Sequence, residues 1–220
     1  MKRKPEIVAI ALDMDGLLLN TEDLYEEVGQ ILMSKRGKPY REEVRKKMIG
    51  LPAPKAFGVL IANEGLQETW QELLKETEEI FEGILEERLQ TMEGVENLMV
   101  SIHRRDLPRC VATSSTRAFA TKALGLVGLL KQIDFVVTAE EVPQGKPYPD
   151  IYLEAAKRMG AKASNMLVLE DSETGTKAGV SAGAYVVSVP NRHTEHGDFA
   201  GAQFIANGLN DPRIYEILKM

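Results

Sequence analysis

Two pairs of carboxylates stand out by their setting. Asp13-Met14-Asp15-Gly16 closes the apolar run Ile7 to Leu12, and Glu170-Asp171 closes the run Met166 to Leu169. Short continuous apolar runs read as strands covered on both faces. Ligands of an open α/β sheet bind beyond the carboxyl ends of its strands. Two aspartates in that place, followed by a glycine that permits a sharp turn, suit a nucleophile and an acid/base partner. They also suit a hard cation, because Mg²⁺ takes oxygen ligands. Asp-x-Asp-Gly alone is unspecific, and each pair could equally serve a turn or a helix cap. A calcium-loop reading fails, since that loop requires glycine sixth and glutamate twelfth, where this chain has Leu18 and Leu24. Unit charges about 4 Å apart repel by roughly 4 kcal/mol at an effective dielectric of about 20. Two acidic pairs brought together at strand ends therefore call for a cation.

Two more segments fit the same chemistry. Thr113-Ser114-Ser115 follows the apolar stretch beginning at Arg109. Its hydroxyls and backbone N–H groups, with the helix start that follows, could hold an anion, or a serine there could simply cap that helix. Lys146 sits in Gly145-Lys146-Pro147-Tyr148-Pro149-Asp150, where two prolines stiffen the loop. A lysine in such a loop, just ahead of a helix that Asp150 is expected to cap, is either positioned by it or, as a lone loop lysine usually is, exposed to solvent.

Buried strands are expected at Ile7–Leu12, Arg109–Thr113, Asp134–Thr138, Met166–Leu169, Tyr185–Val189 and, more weakly, Phe204–Ala206. From Arg109 onward helical patterns separate them, at Thr116–Leu124, Asp150–Met159 and Gly175–Ala182, with Gly125 and Gly160 placed as C-terminal caps. This alternation implies an α/β fold, a Rossmann-like doubly wound parallel sheet. Residues 20–89 break the rhythm. Asn20 or Thr21 can cap a helix with Glu22 and Asp23 in its first turn. Leu24, Val28, Ile31 and Leu32 share one face, and the apolar stripe from Trp70 to Leu85 reads as the core of a helical unit. Glu64, Glu68, Glu72 and Glu76 recur four apart, which reads as a solvated face. We therefore expect a core domain of residues 1–19 and 90–220 and a small helical cap domain of residues 20–89, with hinges near Leu19–Asn20 and Leu89–Gly94.

Composition narrows the classes. The 220 residues carry a net charge of −6, against the basic face of a nucleic-acid binder. A single cysteine, Cys110, excludes an intramolecular disulfide framework and points to the cytoplasm; on a strand interior it reads as an inert core thiol. The basic start Met1-Lys2-Arg3-Lys4 precedes only six apolar residues, short of the roughly 7–15 of a secretory signal. No run approaches the ~20 residues of a membrane span. We expect no membrane association, and a monomer. Gly175, Gly179 and Gly183 recur four apart and read as close packing of a helix on the sheet. His193 and His196 lie in a polar loop, without the further ligands that zinc requires.

Taken together, the motifs make the chain resemble the haloacid dehalogenase superfamily, in the phosphatase and β-phosphoglucomutase-like branch of its subfamily I. Asp13-Met14-Asp15-Gly16-Leu17, Val111-Ala112-Thr113-Ser114-Ser115, Gly145-Lys146-Pro147-Tyr148-Pro149-Asp150 and Leu169-Glu170-Asp171-Ser172 occur in the family's order, and the helical insert matches its cap. The resemblance implies that Asp13 is the nucleophile and becomes an aspartyl-phosphate, while Asp15 protonates the leaving oxygen and then deprotonates water. It implies that Thr113 and Lys146 bind the transferring phosphoryl group, aided by Ser114 and Ser115. Mg²⁺ would be held by Asp13, Asp171 and the backbone carbonyl of Asp15, with Glu170 as ligand or neighbour of a ligand.

The dehalogenases that name the family lack the second aspartate, so Asp15 favours phosphoryl transfer. The mutases of this branch carry a histidine ten residues after it, where this chain has Tyr25, and an arginine three residues after a cap glycine, where Gly50 leads to Ala53. An arginine fork anchors a distal phosphate bidentately, and its absence favours a phosphatase. The expectation is a Mg²⁺-dependent phosphatase of small phosphorylated metabolites, sugar phosphates or nucleotides, with Gly50 and Lys55 in the cap helping to select substrate. The alternatives are a sugar-phosphate mutase and, further off, a noncatalytic phosphometabolite-binding protein.

Overall fold

The computed structural model describes residues 6–48, 51 and 53–218. Strands β1 (Ala9–Leu12), β2 (Arg109–Thr113), β3 (Phe135–Thr138), β4 (Met166–Glu170), β5 (Tyr185–Ser188) and β6 (Phe204–Ile205) form one parallel sheet. Its order is β3-β2-β1-β4-β5-β6, so the apolar runs are the strands of a doubly wound sheet. Every residue of β1 and β4 is buried. Full burial of Ile10 or Leu12 is worth about 1.5–3 kcal/mol each relative to exposure. The chain lays β2 and β3 on one side of β1, then returns to the other side with β4. That reversal makes a crevice at the carboxyl ends of β1 and β4. Leu12 is in register with Val111 and with Leu169. The residues that follow these three therefore emerge side by side.

The chain divides into two compact units, one made of residues up to Asn20 and from Gln90 onward, the other of Thr21–Leu89. The second contains α1 (Thr21–Ser34), α2 (Glu42–Met48), α3 (Ala53–Glu64) and α4 (Trp70–Arg88). Leu24, Val28 and Leu32 of α1 are buried, as are Leu73, Ile80, Phe81 and Leu85 of α4, and the two helices pack together. Thr69 caps α4 in a reciprocal box with Glu72. The glutamate stripe is only in part the solvated face expected from its spacing, since Glu72 alone of the four is exposed. Glu64 is buried and accepts from Arg41 Nε at 2.8 Å, while Glu68 and Glu76 grip Arg36 at 2.8 and 2.6 Å. These arginines lie 23 to 40 residues upstream, so the helical spacing carries no sign of them.

The first unit adds α5 (Val95–Arg104), α6 (Arg117–Leu126), α7 (Asp150–Arg158), α8 (Glu173–Ser181) and α9 (Pro212–Leu218). Helices α5 and α9 are additions to the expected elements. Small residues on the sheet, Ala9, Ala11 and Ala112, let α7 lie close and bury Ile151, Tyr152, Ala155 and Ala156. Gly160 follows α7 in the left-handed conformation, as a C-terminal glycine should. Gly125 instead lies inside α6, and the left-handed turn comes three residues later at Gly128. Asp150 is the first residue of α7, not its cap. Among the described residues no helix is long and apolar enough to cross a membrane.

Glu141 ties three elements of this unit together. It closes a capping box with Thr138 at the end of β3, and it pairs with Arg117 of α6 and with Arg158 of α7. Burial pushes its carboxyl upward, but the bonds from Arg158, Thr138 and Arg117 outweigh that and hold it at about 2, against an ordinary value of 4.5. A carboxyl depressed in the fold stabilises it above the unfolded value, and that stability is lost as pH falls toward the folded one. Glu141→Gln is expected to lower the melting temperature at pH 7 by about 2–4 °C. The gap to wild type should close between pH 4.5 and 2, which thermal melts across that range will read.

Candidate active site

Asp13 leaves β1 with its N–H donating to the Leu169 carbonyl at 3.0 Å, so it starts beside the end of β4. Lys146 reaches it from the loop that precedes α7. The ammonium has three donors, and all three are engaged. They go to Asp13 Oδ1, to Glu170 Oε1 at 2.6 Å and to the Ala112 carbonyl at 2.9 Å. The Lys146 side chain is only 4 % exposed and that of Glu170 is fully buried. The expected positioning of this lysine is thus achieved by acceptors from β1, β2 and β4, not by loop stiffness alone.

Glu170 is occupied on both oxygens. Oε1 also accepts from the Tyr152 hydroxyl at 2.7 Å, and Oε2 accepts from Ser172 N at 3.1 Å and Ser172 Oγ at 2.9 Å. A carboxylate offers about four lone-pair directions, and these donors take four. Gly175 of α8 backs onto this carboxylate: a Cβ there would lie 1.7 Å from Glu170 Oε1. Gly179 likewise seats α8 against Val186, whereas Gly183 is a left-handed residue in open space. Two of the three spaced glycines therefore serve close packing, and the third makes the turn.

Asp15 points elsewhere. Its Oδ2 accepts from Thr113 Oγ1 at 3.0 Å and from Ser115 Oγ at 2.8 Å, while Thr113 Oγ1 accepts from Ser115 N at 3.0 Å. The cap of α6 is Thr116, whose side chain accepts from Phe119 N. Thr113 and Ser115 are thereby spent on Asp15 and not on capping, and Ser114 is exposed. The turn after Asp15 needs glycine: Gly16 has φ +75°, and a Cβ would lie 2.5 Å from Asp171 Oδ2.

Carboxylate oxygens of Asp13, Glu170 and Asp171 come within 4.8 Å of one another, and all three residues are buried. Burial, followed by the charge of Glu170, pushes the Asp13 carboxyl well above its ordinary range, against the pull of Lys146. Burial works to lower the Lys146 ammonium, but Asp13 and Glu170 raise it above its usual value. The lysine thus stays charged. Ionising all three carboxyls against one ammonium would leave two negative charges out of water, a costly arrangement unless a cation compensates it. An all-oxygen donor set with that excess fits a hard divalent cation of the Mg²⁺ type. The carboxylate of Asp15 lies outside the cluster, so Asp15 could contribute there only through its backbone.

Two residues of the site have no signature in the sequence. Tyr152 is buried under the Lys146 ammonium, 5.4 Å from ring centroid to Nζ; burial and then the Glu170 charge hold its phenol well above the ordinary value, so it remains a donor. Asn191, in the segment after β5, donates to Asp171. Of the expected substrate-selecting residues, Lys55 is exposed on α3, and Gly50 lies outside the described residues.

The chain belongs to the haloacid dehalogenase-like hydrolase family, whose profile matches residues 10–189. It is an enzyme of that family's phosphatase branch. It is 30 % identical over 175 residues to a phosphorylated carbohydrates phosphatase of Thermotoga maritima, covering 80 % of this chain and 81 % of that one. With (DL)-glycerol-3-phosphatase 2 of Arabidopsis thaliana it is 32 % identical over 193 residues, covering 84 % and 80 %. A crystal structure from Thermotoga maritima, provisionally assigned as a β-phosphoglucomutase, superposes with a TM-score of 0.82 at 28 % identity over 97 % of both chains.

Proposed function

We propose that this enzyme is a Mg²⁺-dependent phosphatase of small phosphate monoesters that works through an aspartyl-phosphate. The observation that carries this reading is the Asp13 carboxylate held against Lys146, beside Glu170 and Asp171, with Asp15 fixed separately two residues on. In this reading a carboxylate oxygen of Asp13 attacks phosphorus as the bond to the leaving oxygen breaks. Asp15 delivers a proton to that oxygen, then takes one from the water that attacks the phosphoryl-aspartate, releasing phosphate and restoring Asp13. The Thr113 and Ser115 hydroxyls, both on Asp15 Oδ2, support that role by orienting the carboxyl. Lys146 bears the charge that gathers on the phosphoryl oxygens. Asp13, Asp171 and the Asp15 carbonyl would hold the cation, which supplies the positive charge that lets a carboxylate approach a phosphate dianion. The four donors on Glu170 support a positioning role for it, as the anchor of Lys146. The unit Thr21–Leu89 acts in this reading as the cap that selects substrate, with Lys55 helping to choose it. Substrates are small phosphorylated metabolites of the sugar-phosphate or nucleotide class, and the site of action is the cytoplasm.

The test is phosphate release from a panel of sugar phosphates, glycerol phosphate and nucleotides, with Mg²⁺ and with EDTA. Release from at least one member, falling by about 100-fold or more without metal, is the expected result. Release indifferent to EDTA would overturn the metal-dependent reading. Isomerised hexose phosphate in the presence of a bisphosphate primer, without free phosphate, would replace it with a mutase.

A further inference from the structure

Asn191 plays no part in the chemistry above, yet it is built into the site. Its Nδ2 donates to Asp171 Oδ2 at 2.8 Å and to the Gly16 carbonyl at 3.0 Å. The orientation of the carboxamide is fixed by its own turn. Oδ1 accepts the His193 N–H at 2.7 Å, a bond only the carbonyl oxygen can make, so the NH₂ group must face Gly16 and Asp171. The Asn191 N–H donates to Thr194 Oγ1 at 3.0 Å, and its carbonyl accepts from Thr194 N and Glu195 N at 3.1 and 2.9 Å. Packing leaves the carboxamide no slack: a Cβ on Gly16 would lie 2.6 Å from Asn191 Nδ2. One side chain thus joins the turn after β1, the end of β4 and the segment after β5.

We propose that Asn191 is a positioning residue for the cation site, holding Asp171 against the Gly16 turn so that the carboxylates are arranged before the ion arrives. This rests on the reading of Asp13 and Asp171, beside Glu170, as a cation site. The chemistry of the amide suits the task. A lysine or arginine in its place would orient Asp171 but cancel the charge that attracts the ion. A neutral donor orients the carboxylate and leaves that charge intact. Partners that orient ligands in this way set metal affinity, and their loss typically costs about 10–100-fold.

Isothermal titration of the full chain with Mg²⁺, without substrate, measures the effect. Asn191→Ala is expected to raise the Mg²⁺ Kd by about ten-fold or more. The Mg²⁺ concentration for half-maximal turnover should rise in parallel, with kcat at saturating Mg²⁺ largely restored. Glu141→Gln, whose bonds to Thr138, Arg117 and Arg158 include none to the carboxylate cluster, serves as the destabilised control and should keep the wild-type Kd. Asn191→Ser is read as well, in case the alanine variant does not fold. A folded variant that binds Mg²⁺ within two-fold of wild type overturns the proposal, and so does failure of both variants to fold, which would make Asn191 a residue of the fold alone. A wild-type chain that binds no Mg²⁺ overturns the cation-site reading itself, and the wild-type arm alone reveals it.

Discussion

Asp13→Asn is expected to lower phosphate release by roughly 10⁴–10⁶-fold while leaving the fold intact. The substitution keeps the shape of the side chain and an acceptor for Lys146. What it removes is the anionic oxygen that attacks phosphorus. It also removes one of three buried carboxylates that oppose one another, since burial and Glu170 already act against ionisation of Asp13. Stability should therefore hold or rise as activity collapses. That opposition of signs separates loss of the nucleophile from loss of the fold. Steady-state phosphate release and thermal melts on the same preparation measure both, with mass spectrometry to exclude reversion by deamidation. Turnover within ten-fold of wild type would remove Asp13 from the nucleophile's role and the aspartyl-phosphate with it.

Gly175→Ala is expected to be the most damaging change outside the reacting groups. The added methyl would sit 1.7 Å from Glu170 Oε1 and 1.9 Å from Glu170 Cδ, and neither side can give way cheaply. Glu170 is fully buried and holds Lys146, Tyr152 and Ser172. Gly175 is itself tied to the same turn through its N–H to Ser172 Oγ at 3.0 Å. Overpacking ordinarily costs about 1–3 kcal/mol, and a clash with a saturated buried carboxylate belongs at the upper end. A fall of about 6–12 °C in melting temperature corresponds to that. Turnover should fall by about 10–100-fold as well, because the acceptor that places Lys146 has moved. Wild-type activity and stability in this variant would mean that Glu170 is freer than its four donors imply. The same substitution at Gly125, helical and with nothing within 4 Å, meets no such obstacle.

The fold was largely legible because its strands are covered on both faces. Runs such as Met166–Leu169 have no polar interruption, and every residue of β4 is buried. Asp13, Glu170 and Asp171 were legible because each sits one or two residues past such a run, where register brings the ends of β1 and β4 together, whereas Lys146, eight residues past β3, was marked only by its own loop motif. What escaped the sequence depends on contacts between distant segments. Arg36 and Arg41 pair with glutamates 23 to 40 residues away, so a stripe of acids that looks solvated is in fact held. Asn191 meets Asp171 across 20 residues and Gly16 across 175, and no local pattern marks it. Tyr152 reads as one more apolar position of α7 until the approach of that helix to small residues on the sheet places its hydroxyl at Glu170. Gly125 failed as a cap because a glycine permits a left-handed turn without compelling one, and α6 continues past it to Leu126.

Cys110 carries a consequence for how the enzyme can be studied. It is the chain's one cysteine, lies in β2 in register with Ala11 and Phe135, and has no exposed surface. Burial first, and then the neighbouring Asp134, raise its thiol far above the ordinary range, so the nucleophilic thiolate is both scarce and out of reach. The folded native chain is in effect silent toward maleimides. A cysteine introduced at an exposed position, such as Lys55, becomes the single address for a fluorophore or spin label, and the native residue need not be removed from the core.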